Sequence, residues 1–197
     1  MLKEKKFWII LGLLVLAAIV FMHVYFFSHE EESHKFVVDM DPEPLVTDEI
    51  DLSLVGYGAK GALEDDDLTI MDMLTYAVQD EYLAHGEYEE IINLYGSVKP
   101  YSNIVLSEET HLSYLKEVYK AYDLNFPADE SDSHLVIPIS LLEAAETGVQ
   151  AEIDNIAMYN KFLKYDLPQN VLDVFTALRD ASENHLKAFQ KQVDKLS

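Results

Sequence analysis

From Asp67 to the C-terminus, apolar residues recur at alternating spacings of three and four along four separate stretches, and none alternates with the period of a strand. A chain patterned in this way must bury four apolar stripes against one another, so the expected class is all-α: an antiparallel four-helix bundle over 67–197. The spacing predicts a first helix from about Leu68 to Tyr95, stopped at Gly96. A second starts near Ser102, a residue suited to an N-cap, and ends near Tyr122. A third runs from Pro138–Ser140 to Tyr165, and a fourth from Pro168, a good first-turn residue, to the end of the chain. Short connections at 96–101 and 166–168 imply antiparallel neighbours, and the longer link 123–139 joins two helical hairpins.

Each inward stripe is apolar except in its middle. The first helix brings Glu81 between Leu74, Ala77 and Tyr88, Ile91; the second brings Glu108 and His111 between Ile104 and Leu115, Val118. The third is read as Leu141, Ala145, Val149, Glu152, Ile156, Tyr159 and Leu163, and the fourth places Ser182 and His185 between Leu178 and Phe189. A buried carboxylate with no partner costs several kcal/mol, so three glutamates and two histidines at one level demand an explanation. Divalent cations supply one, because carboxylates and imidazoles then become ligands. The alternative is a metal-free core of histidines salt-bridged to glutamates.

The hairpins resemble copies of each other. Glu81 is followed by Tyr88 and Glu152 by Tyr159, each two turns on and on the same helix face. The partner helices read Glu108-x-x-His111-Leu112 and Ser182-x-x-His185-Leu186. Glu-x-x-His is weak by itself, since Glu31-x-x-His34 also occurs well outside the bundle; the stripe position and the duplication carry the signal.

These residues resemble the ferritin-like superfamily, whose di-iron members take one Glu from each of two helices and a Glu-x-x-His from each of the other two. Residues 68–192 look like an uncharacterised ferritin-like domain family of bacteria and archaea, through Asp80-Glu-Tyr-Leu-Ala84, Ser102-Asn-Ile104, Ser107-Glu-x-x-His111, Gly148-x-x-x-Glu152 and Asn184-His-Leu-x-Ala-Phe189. The resemblance implies metal ligands Glu81, Glu108, His111, Glu152 and His185, and two divalent ions, iron or manganese. Ser182 stands where the second Glu-x-x-His would have its Glu, which leaves five strong ligands and keeps a water-filled gap, an asymmetric pair or a single metal open. His85, one turn after Glu81, is a weaker candidate; Tyr88, Tyr159 and Asn155 are candidates to support the ligands. The implied activity is that of an oxidase, ferroxidase or peroxide-reducing protein; the alternative is a non-catalytic metal-binding or metal-stabilised interaction module. Rubrerythrins resemble the bundle too, but carry a cysteine-ligated iron domain, and this chain has no cysteine. Electrons would come from ferrous iron or from an unidentified donor, and a homodimer stays open.

The absence of cysteine also removes disulfides, thiol catalysis and iron–sulfur clusters. Acidic residues outnumber basic ones 36 to 14, and a net charge of −22 argues against nucleic acid as a partner. Ahead of the bundle, residues 7–27 (FWIILGLLVLAAIVFMHVYFF) hold no Lys, Arg, Asp or Glu and would span about 31 Å as a helix, a bilayer's hydrocarbon thickness. Lys3, Lys5 and Lys6 precede this run and Glu30, Glu31 and Glu32 follow it, so the expectation is a single-pass anchor with a cytoplasmic stub, 1–6, and an extracytoplasmic bundle. The run is long for a signal peptide and ends in bulky Tyr25, Phe26 and Phe27. Residues 28–66, with twelve acidic residues, two basic ones, Pro42, Pro44, Gly56, Gly58 and Gly61, read as an acidic tether.

Overall fold

A computed structural model describes residues 54–197. Among them are five helices and no strand: α1 Gly58–Glu64, α2 Ile70–Tyr95, α3 Tyr101–Ala121, α4 Leu141–Phe162 and α5 Gln169–Leu196, with one 3-10 turn at Ser131–Ser133. The four long helices are the four expected from periodicity, with ends moved by a few residues. α2 packs on α3 and α4 on α5 as hairpins, and the pairs meet through α2 with α4 and α3 with α5.

Helix starts follow local chemistry. Thr69 and Asp72 form a capping box: Thr69 Oγ1 accepts from Asp72 N at 3.2 Å and Asp72 Oδ2 accepts from Thr69 N at 2.8 Å. Ser140 Oγ accepts from Glu143 N at 3.1 Å at the head of α4. The cap expected at Ser102 is not made; α3 already begins at Tyr101, behind Pro100, with no side-chain cap. Gly96 closes α2 with φ +83°, a region open to glycine.

The buried faces form two apolar layers with a polar level between them. One layer gathers Tyr88, Ile91, Tyr101, Ile104, Ala144 and Phe189. The other holds the ring cluster Tyr159, Phe162 and Phe175 with Leu74, Leu115, Val118 and Leu178. The buried face of α4 keeps Ala145, Glu152 and Tyr159 of the expected stripe and extends to the neighbouring side. Ala144, Gly148, Asn155, Met158 and Phe162 are buried, whereas Val149, Ile156 and Leu163 are only half-buried. Gly148 lies on that added side: a Cβ there would stand 2.8 Å from the Phe189 ring, so the ring packs directly on the α4 backbone.

The acidic tether expected over 28–66 ends earlier. Residues 54–66 belong to the folded unit, where α1 lies against α2 and α4. Gly58 N donates to Gln79 Oε1 at 3.0 Å and Ala59 N to Asp80 Oδ1 at 2.7 Å, so α2 side chains satisfy amides at the start of α1. Lys161 Nζ from α4 donates to the carbonyls of Ala62, Leu63 and Asp65 at its other end. Among the described residues, no helix is long and apolar enough to cross a membrane. The anchor expected at 7–27, the stub 1–6 and the rest of the tether lie outside the described residues.

Candidate metal centre

Five helical positions bring their side chains to one buried level. Glu81 comes from α2, Glu108 and His111 from α3, Glu152 from α4 and His185 from α5, all at most 7% exposed. They form two three-residue groups that could each hold a metal ion: Glu81, Glu108, His111 and Glu108, Glu152, His185. Within each group the ligand atoms lie within 4.8 Å of one another, and Glu108 belongs to both. The level is therefore close to symmetric, one Glu and one His per side with a shared Glu between them.

The nitrogen facing the carboxylates is Nδ1 in both histidines. His111 Nδ1 is 2.7 Å from Glu108 Oε2 and 2.9 Å from Glu81 Oε2. His185 Nδ1 is 3.3 Å from Glu108 Oε1 and 3.4 Å from Glu152 Oε1, yet it is buried without a hydrogen bond. Both Nε2 atoms meet Ser107 Oγ, at 3.1 Å from His111 and 3.2 Å from His185. A hydroxyl oxygen can accept two N–H groups. When metal ligation makes both imidazoles neutral, Nε2–H groups donating to Ser107 would leave each Nδ1 lone pair turned toward the carboxylates.

The tyrosines support the glutamates across the hairpins. Tyr159 Oη donates to Glu81 Oε1 at 2.8 Å, and Tyr88 Oη donates to Glu152 Oε1 at 3.1 Å. Each ring shares a helix with one Glu and serves the other, so the duplicated Glu-x6-Tyr pattern is a reciprocal clasp between α2 and α4. Burial pushes both phenols well above their ordinary range, and the nearby carboxylates push further, so both stay protonated donors.

The charges of the bare site alternate from carboxylate to imidazole to carboxylate. Burial raises Glu81 to about 8, against the pull of His111. Burial alone would raise Glu108 too, but His111 and His185 on either side hold it well below the usual carboxylate range. Burial pushes His111 down while Glu81 and Glu108 carry it well above 6.5; His185 likewise rises to about 9 beside Glu108 and Glu152. Desolvation raises Glu152. Three carboxylates face two imidazoles, and burial raises both outer carboxylates, Glu81 and Glu152. Divalent ions between the groups would replace those protons with ligand bonds, and the unsatisfied Nδ1 of His185 is the atom that gains most from such an ion.

Ser182 is buried at the expected level but turns elsewhere. Its Oγ donates to Asn155 Oδ1 at 2.6 Å, with the Leu178 carbonyl 3.0 Å away. Asn155 Nδ2 in turn donates to Asp80 Oδ2 at 2.7 Å, so a Ser–Asn–Asp chain stands where a sixth ligand was a candidate. Asn155 thus supports Asp80 and Ser182, not a Glu of the centre. His85 is not brought to the centre: its ring faces Glu89 and Glu109, each at 3.7 Å, at the outer edge of α2 and α3. Sequence reasoning missed Ser107 and Asp80. Ser107 had a readable signal, since it lies one turn before His111 on the same face. Asp80 had only its place in the segment Asp80-Glu-Tyr-Leu-Ala84, since it is a neighbour of Glu81 turned about 100° around the helix.

A profile described as an uncharacterized protein domain, DUF2202, matches residues 70–196. The chain belongs to the DUF2202 family. The match begins at the first residue of α2, takes in all four long helices and every residue of the metal centre, and leaves α1 outside. The crystal structure of a hypothetical protein from Methanococcus jannaschii is similar to this DUF2202 chain at a TM-score of 0.58 and 20% identity, over 67% of this chain and 85% of that one. At that identity the likeness speaks for the fold. No curated protein matches the sequence.

Proposed function

We propose that this chain is a ferritin-like di-metal protein in which Glu81, Glu108 and His111 hold one divalent ion and Glu108, Glu152 and His185 a second. The observation that carries the reading is the pair of buried three-ligand groups joined through Glu108. Carboxylates with imidazoles suit iron first and manganese second. Two such ions would supply one electron each to dioxygen or peroxide, which makes an oxidase, ferroxidase or peroxide-reducing activity the best fit.

The protein's own part is positional. Glu108 ties the two halves together. Tyr88 and Tyr159 fix the outer glutamates by donating to one oxygen of each. Ser107 fixes both imidazoles. Ser182, by binding Asn155, keeps a carboxylate out of the sixth place and leaves a space of about 30 Å³ beside Glu81, Glu108 and Glu152. That is room for a water-sized molecule, such as a small oxidant. We place the bundle outside the cytoplasm, behind an N-terminal anchor at 7–27.

Ferrous iron added without air to the full-length chain, followed by air, tests the reading. Oxidation of many equivalents per chain is expected. Uptake of one or two ions with no further turnover would instead assign a metal-binding module, a role that the missing sixth carboxylate at Ser182 favours. No uptake at all would remove the metal reading.

A further inference from the structure

Two cavities meet between α2 and α4. The outer one has a volume of about 350 Å³ and the inner one about 30 Å³, and Asp80, Leu83, Glu87 and Ala151 line both. The inner cavity reaches Glu81, Glu108 and Glu152. The four shared residues therefore stand at the boundary between the outer chamber and the space beside the carboxylates, the neck that an ion on this route would pass.

Tyr57, which precedes α1, and Ala59 and Lys60 within it supply the chamber's far wall, with His134 and Val136 from the long link. Tyr57 stacks on His134 with ring centroids 3.9 Å apart and planes 11° apart. Gly58 has φ +57°, and a Cβ there would stand 2.7 Å from Asp80 Oδ1, so glycine lets this wall lie close on α2. Glu87, only 8% exposed, sits in the neck, where its Oε1 accepts from Val136 N at 3.1 Å.

Size and charge then select what passes. The inner space admits a species about the size of a water, so an organic substrate stops in the chamber. Asp80, Glu87 and Asp154 against Lys60 give the lining an excess of carboxylates, and a cleft of one sign concentrates the opposite ion. A carboxylate such as Glu87 offers oxygen ligands to a divalent ion in transit.

We infer that the chamber under α1 is the passage by which divalent cations reach the metal centre, and that Glu87 is the carboxylate that hands them through the neck. This rests on the metal reading above and adds a route to it. The route also gives α1 a purpose that its length and composition do not suggest.

Stopped-flow mixing of Co²⁺ with the chelator-stripped full-length chain tests it, following cobalt absorption, with equilibrium stoichiometry measured separately. Glu87→Gln keeps the shape of the neck and removes its charge; Thr147→Trp fills the chamber from α4, away from the ligands. Both are expected to bind as many Co²⁺ per chain as the parent and to load about tenfold more slowly. Loading at the parental rate in both variants would overturn the passage while leaving the metal centre intact. A parent that takes up no Co²⁺ would overturn the metal reading and the passage with it. Circular dichroism confirms that each variant is folded, and if Thr147→Trp is not, the near-isosteric Glu87→Gln decides.

Discussion

Glu108→Gln removes the one carboxylate common to both halves of the centre, and its consequences differ with and without metal. In the metal-free protein Glu108 stands 2.7 Å from His111 Nδ1 and 3.3 Å from His185 Nδ1, buried on every side. The amide keeps the volume and loses the charge, so each imidazole retains a single carboxylate, Glu81 or Glu152. Removing one partner of a buried ion pair costs about 3–5 kcal/mol. At about 2–4 °C per kcal/mol for a domain of this size, the melting temperature in chelator should fall by about 6–20 °C. With metal the gap should widen. A ligand at a thousand times its Kd stabilises by about 4 kcal/mol, and a variant that lacks the shared ligand forfeits most of that gain. Thermal melts of parent and variant, each with chelator and with saturating Mn²⁺, read all four states. A variant as stable as the parent in chelator, and raised as far by Mn²⁺, would refute the central role of Glu108.

Three further outcomes are expected. Ser107→Ala leaves both Nε2 atoms without their partner and should weaken metal binding about 10–100-fold, while Ser107→Thr, which keeps the hydroxyl, should restore much of it; competition titration with a chelating dye measures both. Ser182→Glu should tighten metal binding by supplying a sixth ligand and should lower metal-free stability by about 1–3 kcal/mol, because the added atoms exceed the 30 Å³ beside the carboxylates; equal affinity would mean that the place is already filled. Metal-free stability should fall as pH rises from about 6.5 to 9. His185 is raised to about 9, so the stability from its bound proton is complete below about pH 6.5 and lost through pH 9; Glu81, raised from 4.5 to about 8, adds a loss that begins at the lower value and ends near pH 8. Melts in chelator that hold constant or rise across that window would contradict the charge alternation at the site.

Most of the bundle was legible because its helices are amphipathic and their interruptions are chemical. Glu81, Glu108, His111, Glu152 and His185 stand at core positions of otherwise apolar stripes, and a carboxylate at such a position has few explanations. Ser182 was legible as an anomaly, though not its partner: Asn155 lies on the side of α4 next to the expected stripe. The burial of that side was hidden because Gly148 carries no apolar side chain, yet its backbone receives the Phe189 ring. The reciprocal clasp of Tyr88 and Tyr159 was half legible, since spacing puts each on its glutamate's face but does not say that its hydroxyl reaches the opposite helix. Helix α1 was not legible at all. Its seven residues include two glycines and follow an acidic, proline-containing segment, so no periodicity marks them. They are helical because Gln79, Asp80 and Lys161, distant in sequence, satisfy the helix ends.

Anomalous diffraction from crystals of the full-length chain grown with Mn²⁺ addresses the central claim most directly. Two peaks are expected inside the bundle, one touching Glu81 and His111, the other Glu152 and His185, with the Glu108 carboxylate between them. A map whose peaks all lie on the acidic surface, with His111 and His185 still paired to protonatable glutamates, would contradict it.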